Sequence, residues 1–475
     1  MRSMNSLIPG VLMVALVAGC PSVTPTPTQE EFKESVLKWN QIAVDTSGLD
    51  HAGVDVGEDR TFGHQLGPTA SARAMAIVHI AMFDAVNAVV GGYQSYTRVP
   101  AAPAGTSVAA AIAQSMHDAL VALYPSHAPR LNDLLQDDLN AIANGRAKDE
   151  GIALGSAAAA AILAMREDDG AEIAEPFEFS DAPGAWRPDP INPDQLPLGE
   201  EWFRVKPFVM NSATQFRAPE PPALSSAEYA AAYNEVKELG GDGVTTPTTR
   251  TEEQTLMGLY WAYDGTPSLC APPRMYNQIT TQLAEERSLS DVELARLLAL
   301  VNVALADAGI AVWESKYHYN FWRPVTGIRE ADPGMGPTGE GDGNPDTIAD
   351  PDYVPLCAPA SNLAGANFTP PFPAYPSGHA GFGGALFEVL RGVFGTDDVT
   401  FTFVSDELNG VTVDNEGNVR PLVPRTFTSL SQAEEENGQS RIYLGIHWSF
   451  DKTEGIIMGN RVADHVMENV FQPLP

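Results

Sequence analysis

Apolar residues recur at helical spacing through most of this chain. Ala- and Leu-rich stretches with polar faces cover 70–90, 107–123, 130–143, 149–166, 226–239, 251–263, 273–286 and 290–317, each with the 3.6-residue period of an amphipathic helix. Cap signals stand before two of them, at Ser225-Ser226 and Ser290-Asp291. Loops rich in Pro and Gly interrupt the series at 180–222 and 331–376. The period changes at 399–404, where apolar and polar residues alternate as in a strand. Asn409-Gly410 and 415–418 then supply turns, which predicts a small hairpin that either shapes a pocket mouth or decorates the surface. The most apolar stretches carry charge: 73–90 holds Arg73, His79 and Asp84, and 297–312 holds Asp307. They read as core helices, not membrane spans. His79 is expected in a buried polar network with Asp84 and Asn87.

The first 19 residues stand apart. An apolar run from Leu7 ends in Val17-Ala18-Gly19-Cys20, which reads as a secretory signal. Small residues directly before a cysteine resemble the bacterial lipoprotein cleavage box, so the expected mature chain starts at a lipidated Cys20. Residues 20–45 are then tether and linker, 46–240 a first helical bundle and 241–475 a second. The expected location is outside the cytoplasm, in the cell envelope as a lipoprotein or secreted, with the lipid at Cys20 as the membrane contact. The formal net charge of −33 excludes nucleic acid and anionic membrane surfaces as partners, because both would be repelled. Any pocket for an anion must therefore be locally basic.

Cys270 and Cys357 lie in Pro-containing loops. In an exported chain they suggest a disulfide, with two unpaired buried thiols as the alternative. Loop 331–353 carries Asp332, Glu340, Asp342, Asp346, Asp350 and Asp352. A solvated acidic loop is expected there; calcium binding is the other reading of such an oxygen-rich loop.

Chemistry concentrates in the last third. His447 and Asp451 are four apart, so a carboxylate on the same helix face would fix which imidazole nitrogen keeps its proton. Arg441, six residues earlier, would add a planar fork of donors to that face. Pro376-Ser377-Gly378-His379 precedes an apolar, Gly-rich run and reads as a helix N-terminus with Pro376 in its first turn, a ready anion site. Lys316 and Arg323 are spaced to reach one anion from a common helix that Pro324 ends or kinks. His318 between them reads as an ordinary helix histidine.

Lys-x6-Arg-Pro, Pro-Ser-Gly-His and Ser-Arg-x5-His-x3-Asp, in that order and without departure, resemble the three-block signature of the vanadium haloperoxidases and the related phosphatidic-acid and acid phosphatases. The resemblance implies an all-α fold of two four-helix bundles with long loops, the hairpin being an insertion. It also implies a vanadate cofactor, with phosphate able to take the same place. His447 would ligate the metal, with Lys316, Arg323, Ser377, Gly378 and Arg441 around the oxyanion. His379 would act as acid–base and Asp451 would orient His447. Asp264, in Trp261-Ala262-Tyr263-Asp264-Gly265, resembles a family segment whose Asp pairs with a site arginine. Trp313 and Phe372 match the aromatic positions on the halide side. The implied substrates are hydrogen peroxide, a halide and a small organic acceptor, giving hypohalous acid. The alternative is an acid phosphatase-type phosphomonoesterase with His447 as nucleophile.

Overall fold

The computed structural model describes residues 29–475. The helices are α1 (Gln29–Asp50), α2 (Gly67–Val90), α3 (Val108–Leu123), α4 (Ala128–Ala141), α5 (Arg146–Met165), α6 (Ala227–Leu239), α7 (Glu252–Tyr260), α8 (Pro272–Glu285), α9 (Asp291–Tyr319), α10 (Pro324–Arg329), α11 (Gly378–Phe394), α12 (Leu430–Tyr443) and α13 (Ser449–Asn469). Among the described residues the only named strands are β1 (Phe401–Asn409) and β2 (Leu422–Phe427), paired antiparallel with Phe401 opposite Phe427. The chain is all-α with a small hairpin.

Helix α9 is the axis. It is buried along nearly its whole length, from Asp291 to Lys316. It packs against α2 on one side and against α11 and α13 on the other. One continuous apolar core therefore runs from α1 through α13. The capping box Ser290–Glu293 starts α9, and Asn320, in the left-handed region at φ 49°, ends it.

Residues 29–45 do not form a linker. They belong to α1, which buries Val36, Trp39, Ile42, Ala43 and Val44 against the core. Polar residues between these anchors mask the apolar stripe in the sequence. The cleavage box at 17–20 and the tether that follows it lie outside the described residues. Helix α1 also receives His79: its Nδ1 lies 2.7 Å from the Met75 carbonyl and its Nε2 2.8 Å from Asn40 Oδ1. Asp84 and Asn87 are engaged elsewhere, by Tyr96 and Thr97 and by Tyr93.

No disulfide joins Cys270 to Cys357; both are buried free thiols. Cys270 sits 3.2 Å from Ser47 Oγ beside α1. Cys357 sits near Thr369 Oγ1. Each loop is pinned by its own neighbours, so no bridge is needed to hold either. In the acidic loop, Asp342 is buried and turned inward onto Thr347 and the Asn344 N–H, while Asp346 and Asp352 stay exposed. No described group of three or more His, Cys, Asp and Glu side chains is arranged around a metal-sized point.

Helices α11 and α13 approach closely through Gly381, Gly384, Gly455 and Gly459. A Cβ added to Gly455 would stand 2.8 Å from both the Ser377 carbonyl oxygen and Ala380 Cβ. Gly455→Ala is expected to force the two helices apart and destabilise the protein by about 1–3 kcal/mol, read as a lower denaturant midpoint; an unchanged midpoint would show that the contact is slack.

Candidate active site

Three chain segments meet at one end of α9. The first ends α9 itself. Its last turn carries Lys316, the chain reverses at Asn320, and Arg323 becomes the N-cap of α10 with Pro324 in its first turn. Lys316 and Arg323 thus do not share a helix, and Pro324 begins one instead of ending one, because a ring that lacks an N–H fits a first turn. The second segment leads into α11. Ser377 is its N-cap, accepting from the Ala380 N–H at 3.4 Å, and Gly378 is its first residue. Pro376 lies one position outside the cap. The first N–H groups of α11 have no helical partner by position and carry its positive end.

The third segment corrects the single-helix reading of 441–451. Arg441 is in the last turn of α12, and Gly445 at φ 72° breaks the path. A side chain there would meet the Gly240 carbonyl at 2.6 Å. His447 lies in the loop, and Asp451 is in the first turn of α13. The pair still forms. Asp451 Oδ2 accepts from the Trp448 N–H at 3.0 Å and lies 2.8 Å from His447 Nδ1. One carboxylate thus caps α13 and orients the imidazole.

The cations are buried: Lys316 is 0%, Arg323 1% and Arg441 1% exposed. Lys316 Nζ donates to the Pro373 and Ala374 carbonyls at 2.8 and 2.9 Å. Arg323 donates from Nε to the Phe372 carbonyl and from Nη1 to the Ile446 carbonyl. Its Nη1 is also 3.0 Å from His447 Nε2. Arg441 Nη2 is gripped by both Asp264 oxygens, at 2.7 and 2.9 Å. Arg323 Nη2 and Arg441 Nε and Nη1 are buried without a protein partner. Native interiors usually satisfy such donors with protein, ordered water or a bound ion.

His379 turns its Nε2 to the Ala262 carbonyl at 2.6 Å, with Asp264 Oδ1 4.0 Å away. Its own carbonyl is held by Asn437 Nδ2 at 2.8 Å. Burial, reinforced by Arg323 for His447 and by Arg441 for His379, holds both imidazoles well below their ordinary range. Burial also pushes Lys316 well below its ordinary range and Arg323 down to about 9, and lifts Asp451 to about 7. All five shifts have one origin, charge confined where water does not reach. A neutral His447 with its Nδ1 proton toward Asp451 turns its Nε2 lone pair to Arg323 Nη1, the position an incoming ligand would have to take.

A cavity of about 380 Å³ opens onto this cluster. Gly378, His379, Arg441, His447 and Asp264 line its floor, and Trp313 and Phe372, with ring centroids 4.8 Å apart, stand on its wall. Lys316 lies behind that pair, its Nζ 5.7 Å from the Trp313 ring and 5.1 Å from the Phe372 ring. His318 is exposed, beside Arg217, and takes no part.

Several contributors carry no motif. Helix α7 stops at Tyr260, three residues short of its expected end, and Tyr263 is left-handed at φ 45°. The hairpin holds that turn: Glu407 of β1 accepts the Tyr263 N–H at 3.1 Å, accepts Ser361 Oγ at 2.5 Å and pairs with buried Arg420. The hairpin is therefore a brace for the segment that carries Asp264 and the Ala262 carbonyl. The 180–222 loop contributes Leu198, whose carbonyl accepts from Trp313 Nε1 at 3.0 Å and Tyr317 OH at 2.9 Å.

Fold and floor together define an all-α protein with a buried cluster of cations beside an imidazole oriented by a carboxylate. The family model for the second helical-bundle domain of VCPO matches residues 296–474. The vanadium chloroperoxidase of Curvularia inaequalis is 32% identical over 519 residues, spanning 90% of this chain and 82% of that protein. The chain belongs to the vanadium chloroperoxidase family of vanadium-dependent haloperoxidases, and it is an enzyme of that class. The same fold is seen in a bacterial vanadium-dependent iodoperoxidase, with a TM-score of 0.72 and 23% identity over 95% of this chain and 99% of that one. It is seen again in a holo-type bacterial vanadium-dependent chloroperoxidase, with a TM-score of 0.64 and 17% identity over 87% and 94%.

Glu407→Ala is expected to leave Arg420 as an uncompensated buried charge and to cost about 3–5 kcal/mol of folding stability. Equilibrium denaturation checks this, and a loss under about 1 kcal/mol would mean that the brace is dispensable.

Proposed function

We propose that this protein is an exported haloperoxidase that uses vanadate and hydrogen peroxide to oxidise bromide and chloride to hypohalous acid. The observation that carries this reading is the set of buried, partnerless donors on Arg323 and Arg441 beside a His447 whose Nε2 is free of a proton. Those residues fit a compact, multiply charged oxyanion with one site for an imidazole ligand. Export is supported by the short apolar run ending at Cys20.

His447 Nε2 would be the protein's ligand to vanadium, held in that tautomer by Asp451. Arg323 and Arg441 would hold the oxyanion's oxygens through their unpartnered N–H groups. Lys316, the Ser377 hydroxyl and the Gly378 N–H at the positive end of α11 would join them. Bound vanadate would supply Lewis acidity that activates peroxide toward halide. His379, anchored through Nε2 to the Ala262 carbonyl and lining the cavity, would hold or pass a proton there. Asp264 fixes Arg441 through two hydrogen bonds. Trp313 and Phe372 keep water from one wall, so an approaching halide meets a dry, cationic floor.

Vanadate-loaded protein should show peroxide-dependent halide oxidation, faster with bromide than with chloride because bromide is the easier to oxidise. Inorganic phosphate should compete with vanadate for the same place. His447→Ala is expected to abolish tight vanadate binding in direct titration. His379→Ala should retain binding, though weaker, while turnover falls by about 10²–10⁴. Asp451→Ala should cost about 10–100-fold in affinity or activity. Efficient phosphomonoester hydrolysis by the metal-free protein, with no halide oxidation after loading, would reverse the functional choice.

A bacterial host with lipoprotein processing should yield a chain that begins at a modified Cys20. Mass spectrometry finding an unmodified start elsewhere would refute the anchor.

A further inference from the structure

The cavity above the floor is too large and too apolar for peroxide and halide alone. About 380 Å³ falls in the range of small-molecule sites, roughly 300–1,000 Å³, whereas one water occupies about 30 Å³ of liquid. Its upper wall is built from Leu66, Leu198, Pro370, Phe368 and Phe382. The mouth is marked by Phe62 and Leu363, which are 49% and 45% exposed despite being large and apolar. Water confined by such a wall gains few hydrogen bonds, so an apolar guest displaces it favourably.

Two polar atoms without a protein partner stand in this otherwise largely apolar wall. Thr266 Oγ1 and Gln195 Oε1 are each buried with no hydrogen-bond partner, and both residues line the cavity. Thr266 is itself only 1% exposed. Neither belongs to the three motif blocks, and neither touches the oxyanion cradle. An O–H group on a guest could donate to the Gln195 carbonyl oxygen, and a guest oxygen could accept from the Thr266 hydroxyl. A carboxylate or phosphate on the guest would instead be drawn to Arg441 and compete for the cradle. An uncharged guest leaves the floor clear.

We propose that this cavity binds the organic acceptor, and that the acceptor is an uncharged, largely apolar hydroxyarene held above His379 and Arg441 while it is halogenated. The proposal rests on the haloperoxidase reading for its source of oxidised halogen. Peroxide, halide and a proton give hypohalous acid and water. The halogen–oxygen bond of that acid then breaks as a ring π pair forms the carbon–halogen bond. The displaced ring proton joins the hydroxide as a second water. Held in the cavity, the arene intercepts the oxidant before it reaches bulk solvent.

Two measurements test this. Calorimetric titration of the metal-free protein with 4-propylphenol should show saturable, one-site binding, tighter than that of phenol by about tenfold or more, since each buried methylene contributes about 0.8 kcal/mol. Vanadate-loaded protein with bromide and limiting peroxide should then be given equimolar 4-propylphenol and 4-hydroxybenzenesulfonate. The enzymic ratio of brominated products should exceed the ratio from slowly added hypobromite by about tenfold, following the same burial. Leu363→Asn, an uncharged polar change at the exposed rim, should move the product ratio toward that of free hypobromite. Thr266→Val should weaken 4-propylphenol binding without altering vanadate affinity. Heats that never saturate, or a product ratio equal to that of hypobromite while bromide is being oxidised, would overturn the acceptor site and leave the haloperoxidase reading standing. Absence of bromide oxidation would overturn both.

Discussion

The burial of Lys316, Arg323 and Arg441 around one point is the constraint from which the rest of the structure follows. Two carboxylates, Asp264 and Asp451, stand near them, and both are already engaged by Arg441 and by His447 with Trp448. Moving an ion out of water costs several kcal/mol even after the protein relaxes. Backbone carbonyls of Phe372, Pro373, Ala374 and Ile446 offset part of that cost by accepting from Lys316 and Arg323. This requires irregular backbone at the site, because carbonyls inside helices are already bonded. The loops before α11 and α13 are therefore components of the anion cradle. The donors left over on Arg323 and Arg441 are where an oxyanion would complete the balance.

Such a cluster needs a rigid frame, and close helix packing provides it. Glycines along α11 and α13 let their backbones nearly touch, and the Ser377 N–H donates to the Asp451 carbonyl at 2.9 Å. The helix that offers its positive end and the helix whose carboxylate orients His447 are thereby fixed to each other. Across the floor, Glu407 ties the hairpin to the turn at Tyr263, next to the Ala262 carbonyl that holds His379. The hairpin looks peripheral in the chain order. Its buried carboxylate, lifted to about 7 by burial and held by Arg420 and Ser361, makes it part of the site's support.

How much of this was readable beforehand depended on how local each signal is. Helices α2 to α9 announced themselves through period and caps, with ends displaced by a few residues. Helix α1 did not, since its apolar anchors are diluted by Lys, Glu, Asp and Gln. The residues of the three motif blocks do meet at one end of α9, yet Lys316–Arg323 and Arg441–Asp451 do not share helices as their spacing suggests. Spacing alone cannot distinguish one helix from a helix–turn–helix in which a left-handed Asn320 or Gly445 reverses the chain. Asp264 could be matched to a segment but not placed, because its contact with Arg441 spans 177 positions. Gln195, Leu198, Thr266 and Glu407 had no local signal at all. Their roles arise from long-range packing, which also keeps Cys270 and Cys357 apart.

The chain's charge distribution sets a final condition on the chemistry. A net charge of −33 repels halide and oxyanion alike at distances within the Debye length, about 8 Å at physiological ionic strength. The floor attracts them, but only once they have passed the apolar mouth at Phe62 and Leu363. Neutral peroxide and a neutral arene face no such barrier. An anion that has entered finds buried cations whose field is little screened, so the same low dielectric that makes the cradle costly also makes its grip strong. On the proposed function the acidic surface and the basic floor would act in sequence: the first limiting which anions arrive, and the second holding those that fit the donors of Arg323 and Arg441.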